Sequence, residues 1–284
     1  MKVGTAETER GQAGAQPARS NLLRRYSSRV TRHASRQFII AWHFLTAIPI
    51  SRGHHEPAAG ELAASMAWYS AIGLLIGGIV ALADVVLARW FRPEVVNALV
   101  ILLLVSLTRG LHQDGLADTL DGLAGGRTAA ERLTIMRDPR VGAIGATGLF
   151  LSLLLRYAGL LALPQAMRLP ALICMPALGR WAMVATAWMS SYARAEGGLG
   201  APFLTHLSFF HVVAATLPLS AALAIGLGPR GAGAALGLGI AAVVGAWAAC
   251  RHWFGGVTGD TLGATNELTE IVFLLLLPVL LWLP

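Results

Sequence analysis

Four aspartates stand close together in this chain: Asp114, Asp118, Asp121 and Asp138. The first three fall at i, i+4 and i+7. At about 100° per residue they lie within roughly 60° of one another on a helix. Like charges at that spacing repel by a few tenths of a kcal/mol per contact, and a divalent cation turns that repulsion into a binding site. Hard Mg²⁺ prefers carboxylate oxygen, keeps part of its water and completes its shell with substrate phosphates. The plainer alternative is a solvated acidic face that binds nothing. Two features favour the metal: the stretch is flanked by long apolar segments, and Gly115 and Gly122 each follow an aspartate. Each glycine costs a helix about 1 kcal/mol against alanine but lets a bulky ligand approach the backbone.

A second constellation is GGVTGDTLGATNELTE at residues 255–270. Gly256 permits close backbone approach, Thr258 and Thr261 offer hydroxyls, and Asp260 and Glu267 are again seven residues apart. The same residues would also serve as an ordinary helix cap, and a cap can bind an anion. Glu267 falls near the membrane boundary, where a carboxylate needs a metal or an arginine. Arg109, Arg137 and Arg140 bracket the aspartates and have the fork that suits phosphate oxygens. His112 is a candidate base or phosphate contact, while Arg194, beside Tyr192 and Glu196, is a weaker substrate contact in another loop. Carboxylates, arginines and glycine-rich loops together fit phosphoryl transfer.

Three segments, HQDGLADTLDG, MRDPRVG and GGVTGDTLGATNEL, resemble in this order the cobalamin synthase (adenosylcobinamide-GDP ribazoletransferase) family, over about Phe38 to Leu277. Gln113 and Pro139 depart from the family pattern, and YARAEGGLG carries one extra residue, without removing a candidate ligand. The resemblance implies that the ribose 3′-hydroxyl of α-ribazole, or of its 5′-phosphate, attacks the cobinamide-linked phosphorus of adenosylcobinamide-GDP. GMP leaves, and adenosylcobalamin or its 5′-phosphate forms. On this reading Asp114, Asp118 and Asp121 hold Mg²⁺, and Asp121 or Asp138 is the base. Asp118-x-x-Asp121-Gly also matches half of the CDP-alcohol phosphatidyltransferase signature, whose last aspartate is replaced by Gly142. An ion-coupled transporter is the alternative of another class, but its carboxylates belong near the midplane, not in a long loop.

The elements that must position these groups are membrane helices. The chain has 284 residues, 55% hydrophobic and 13% charged, with a mean hydropathy of +0.62, outside the range of soluble domains. The expected fold is all-α, a polytopic membrane bundle with spans near 65–88, 94–108, 141–163, 171–190, 207–227, 232–250 and 268–284. A short interfacial helix at Phe38–Ile50 and cytoplasmic active-site helices complete it, and residues 37–284 form the transferase domain. Residues 1–36 read as a disordered tail holding eight of the 22 basic residues, a membrane-surface arm and no nucleic-acid footprint. Loop arginines number eight on the N-terminal side and four on the other. The positive-inside rule then makes the N-terminus and every loop of interest cytoplasmic, in the inner membrane of a bacterium. Expected partners are the two substrates and the bilayer, with self-association or other cobalamin-pathway proteins as further partners. Cys174 and Cys250 lie in apolar segments and imply neither disulfide nor thiolate site.

Overall fold

The computed structural model describes residues 33–51, 56–198 and 200–282. Most of the basic tail, Arg52 and the His54–His55 pair lie outside the described residues. The elements are α1 (33–45), α2 (Ala59–Ser65), a 3₁₀ turn (Met66–Trp68), α3 (Tyr69–Leu87), α4 (Pro93–Thr108), α5 (Leu111–Gly125), α6 (Ala129–Ile135), α7 (Ala143–Ala162), α8 (Gln165–Trp188), α9 (Ala201–Thr205), α10 (Phe209–Phe254) and α11 (Gly259–Trp282). The fold is all-α. Among the described residues five helical runs are long and apolar enough to cross a membrane, and a sixth would be counted if the bent pair α4–α5 were one span.

One of those runs turns back on itself. A straight helix of the 46 residues in α10 would extend about 70 Å, more than twice the roughly 30 Å of hydrocarbon it must cross. Gly228, with φ 71° and ψ 176°, interrupts it in a conformation open to glycine. Both arms then pack on α8: Trp181 Nε1 donates to Thr216 Oγ1 at 2.8 Å, and the Trp181 ring lies against Gly239. The bundle therefore has the crossings expected at 207–227 and 232–250, joined by a reversal.

The central helix is α8, almost wholly buried. Gly73 lets α3 approach its backbone: a Cβ there would stand 2.5 Å from Ala177 Cα. Gly77 does the same one turn on, while Gly78 faces open space. Such contacts are how membrane helices gain dispersion energy without a hydrophobic drive between them. At one end of the bundle Asp84, Asn97 and Arg168 form a buried hydrogen-bonded group across α3, α4 and α8. Helix α1 lays one face on the bundle, with Ala41 and Leu45 fully buried. At the opposite end from Asp84 gather α5, α6, α9 and the segments 189–198 and 255–258.

Candidate active site

The site begins at a bend. Helix α4 ends on Arg109 (φ 56°) and Gly110 (φ 66°), two successive left-handed residues, and α5 leaves at 89°. Glycine takes that conformation freely, whereas arginine is strained in it. The Arg109 guanidinium donates to His43 O at 3.0 Å, so it ties the bend to α1 and does not face the aspartates. Turned across the end of the bundle, α5 crosses α11 at Gly115, where a Cβ would stand 2.6 Å from Asp260 O. Gly263 gives the same clearance to His112. These glycines bring Asp260 beside Asp114 and Asp118.

Asp118 is the centre of the resulting carboxylate group. Burial, followed by the charges of Asp114, Asp260 and Asp121, pushes its pKa up to about 6, against a smaller opposing effect of Arg194. Neither Asp114 nor Asp118 has a side-chain hydrogen bond or ion pair among the described residues. Asp260 is held by Arg194 at 3.2 Å and accepts from Thr258 Oγ1 at 3.3 Å.

Asp121, the third member of the stripe, is turned to another task. Its two carboxylate oxygens accept from Gly142 N and Gly145 N, both at 2.7 Å. It thereby caps the first turn of α7, a favourable place for negative charge. Glycine at 142 and 145 is what leaves room for the carboxylate. Asp138 is likewise engaged: Arg140 donates to it from Nε (3.0 Å) and Nη2 (2.7 Å). Those hydrogen bonds hold its carboxyl down at about 2, which makes it a poor base as it stands.

Two cavities lie on either side of α6, a helix capped at its start by the reciprocal Thr128–Glu131 pair. One, of about 530 Å³, is lined by Asp121, Asp138 and Arg140 with Ile135, Val141 and Ile144. The other, of about 360 Å³, is lined by Arg137, Arg194, Glu196, Thr134, Leu133 and Phe254. Arg137 pairs with Glu196, and Glu196 is held below the usual carboxylate range by its own backbone amide and by Arg137.

The remaining candidates are structural in their contacts. Thr258 and Thr261 cap α11 reciprocally, each hydroxyl accepting from the other's amide at 3.2 and 2.8 Å. Gly256 packs on the backbone of 191–193, where Tyr192 and Val257 form a bridge, so it joins two loops and makes no phosphate cradle here. His112 is buried, its Nε2 without a partner among the described residues, close to Arg180 and Arg156 and away from the aspartate face. Glu267 has found the arginine it needs: Arg156 Nη2 donates to it at 2.7 Å. Glu270 accepts from Arg156 as well and from Arg180 Nη1 at 3.0 Å, and Asn266 donates to it at 3.0 Å. All these side chains are within 2% of complete burial. The sequence motifs single out neither Glu270 nor Asn266. Their signal was the run of polar positions Thr265, Asn266, Glu267, Thr269 and Glu270 inside an apolar span.

Among the described residues no group of three or more Asp, Glu, His or Cys side chains stands ready-made to hold a metal ion. Mg²⁺ does not need one, since water and phosphate supply much of its shell. Asp118, crowded by three carboxylates with only Arg194 against them, has the uncompensated charge and hard oxygen donors that suit such an ion. Asp114, Asp118 and Asp260 are the residues that fit it, and Asp121 only by releasing α7.

A membrane helix bundle with open carboxylates, arginines and two cavities gathered at one end defines a membrane-embedded enzyme of phosphate-ester chemistry. Residues 37–278 match the family model of cobalamin-5-phosphate synthase, and the chain belongs to that family. It is 41% identical over 214 residues to a protein of Syntrophobacter fumaroxidans, covering 75% of this chain and 86% of the relative. A protein of Desulforamulus reducens is 38% identical over 243 residues, covering 84% and 95%, and one of Ectopseudomonas mendocina 40% over 249, covering 84% and 96%. Each is named adenosylcobinamide-GDP ribazoletransferase. No solved structure matches the chain.

Proposed function

We propose that this protein is an Mg²⁺-dependent adenosylcobinamide-GDP ribazoletransferase acting at the cytoplasmic face of a bacterial inner membrane. It joins adenosylcobinamide-GDP and α-ribazole, or its 5′-phosphate, late in cobalamin biosynthesis. The ribose 3′-oxygen forms a bond to the cobinamide-linked phosphorus. The bond from that phosphorus to the GMP oxygen breaks, the leaving oxygen keeps the electron pair, and the hydroxyl proton passes to a carboxylate. The observation that carries this reading is the Asp114–Asp118–Asp260 cluster, left uncompensated beside arginine-lined cavities in a chain of this family.

Asp114, Asp118 and Asp260 would hold Mg²⁺, which neutralises charge developing on the transferred phosphoryl oxygens. Arg194, Arg137 and Arg140 clamp non-bridging oxygens, and Arg194 exchanges Asp260 for phosphate to do so. Both candidate bases line the larger cavity; Asp138 acts once Arg140 has moved from it to substrate. Asp121 keeps α7 in place. The loop arginines, more numerous on the side of this cluster, support its cytoplasmic orientation. Purified protein in lipid nanodiscs, given both substrates, should release GMP only with Mg²⁺. Equal release with and without the ion contradicts the metal, and no release under any divalent ion contradicts the transferase.

A further inference from the structure

We infer that the smaller cavity, between α6 and the 193–196 segment, is the subsite for the guanine nucleotide half of the substrate, with Glu196 reading the base. The inference rests on the transferase reading above and assigns one half of its substrate to a place. At about 360 Å³ the cavity is of ligand-binding size. Its wall divides by chemistry: Leu133 and Phe254 offer an apolar face to a flat base, while Arg137 and Arg194 offer cationic donors to phosphate.

Arg194 fixes the direction in which a nucleotide would lie. Its Nη2 donates to Asp260, and its buried Nε has no partner among the described residues. The guanidinium therefore spans from the carboxylate cluster into the cavity with donors to spare. A phosphate on Arg194 sits next to Asp260 and Asp118, where the bond must break, and the base falls further along towards Glu196. The larger cavity across α6 lacks this arrangement, since Arg140, its one arginine, has its fork on Asp138.

Glu196 is the carboxylate lining this cavity, exposed at its mouth and oriented by Arg137. A carboxylate accepts two parallel hydrogen bonds. Guanine presents two adjacent donors, N1–H and the N2 amino group, whereas adenine offers one donor, its N6 amino group, and sets the N1 lone pair against the second carboxylate oxygen. A site built on hydrogen bonds rejects the analogue that cannot make them.

The test is calorimetric titration of the full-length protein in nanodiscs with GMP and with AMP. The unaltered protein should bind GMP at least about tenfold tighter. Glu196→Gln should bring the ratio close to one, because the amide offers one acceptor and one clashing donor. Arg194→Ala should weaken both nucleotides alike. Loss of the Arg137 pair alone would also affect both nucleotides equally, so the ratio separates base reading from a structural role. Equal binding of GMP and AMP by the unaltered protein, or an unchanged ratio in Glu196→Gln, overturns the assignment. Turnover of both substrates in the same preparation separates the two levels. Selectivity without turnover contradicts the transferase reading and leaves the nucleotide subsite standing, and turnover without selectivity overturns the subsite.

Discussion

Helix α11 carries two acidic groups two turns apart, and they have opposite fates. Glu267 and Glu270 are buried with Arg156 and Arg180, two charges of each sign, with Asn266 completing the network. Asp260, at the mouth of the bundle, has only Arg194 to share with Asp114 and Asp118. The buried group is neutralised within the protein and holds α7, α8 and α11 together. The outer group is left with an excess of negative charge. Compensation separates a structural carboxylate from a functional one here more clearly than residue type or sequence spacing.

Removing charge from each group should therefore do opposite things. The largest effect is expected for Asp118→Asn, which should lower turnover by three orders of magnitude or more in a GMP-release assay while membrane insertion persists. Asp118→Asn should also raise the thermal midpoint in metal-free buffer at pH 8. Its carboxyl binds a proton more readily in the folded protein (about 6) than at the ordinary value of 3.8. The ionised form thus weakens the fold above pH 6, and the weakening fades as pH falls towards 3.8. A lowered midpoint at pH 8 would break the contrast.

Next in size is Glu270→Ala. It leaves Arg180 without a carboxylate in a buried site and should cost about 3–5 kcal/mol, read as loss of folded protein in detergent. Exchanging Arg180 and Glu270 together for apolar residues of similar volume should recover much of that. If the single variant is as stable as the parent, the network is not what joins these helices.

Asp121→Asn should be milder. It keeps a neutral acceptor for one of the two amides of α7 and sets an NH₂ donor against the other, a loss of about 1–3 kcal/mol, and should lower the thermal midpoint while leaving more activity than Asp118→Asn. Equal inactivation with an unchanged midpoint would move Asp121 back into the metal site. The smallest effect is a pH dependence: protons compete for Asp118, so half-saturating Mg²⁺ should rise as pH falls through about 6, and a flat profile would remove Asp118 from the ligand set.

The helical stripe of aspartates and the cap of α11 were legible because both are local patterns, fixed by spacing of a few residues. The reversal near Gly228 was legible as a break between two apolar runs. What joins distant parts of the chain was not. Asp121 shares a helical stripe with Asp114 and Asp118, and no local pattern shows that α7, more than twenty residues on, presents two amides to it. Glu270 and Arg156 are 114 residues apart, and no period in the sequence pairs them. The bend at Arg109 was also hidden, because arginine does not announce a left-handed conformation as glycine or asparagine does.

We propose that the open carboxylates at the end of the bundle, and not the buried ones, hold the divalent ion. This is tested most directly by an electron paramagnetic resonance titration of Mn²⁺ into full-length protein in nanodiscs, unaltered and as Asp118→Asn and Glu267→Gln. The account predicts a bound population that Mg²⁺ displaces, lost in Asp118→Asn and retained in whatever Glu267→Gln protein folds. Mn²⁺ bound as tightly by Asp118→Asn as by the unaltered chain would contradict it.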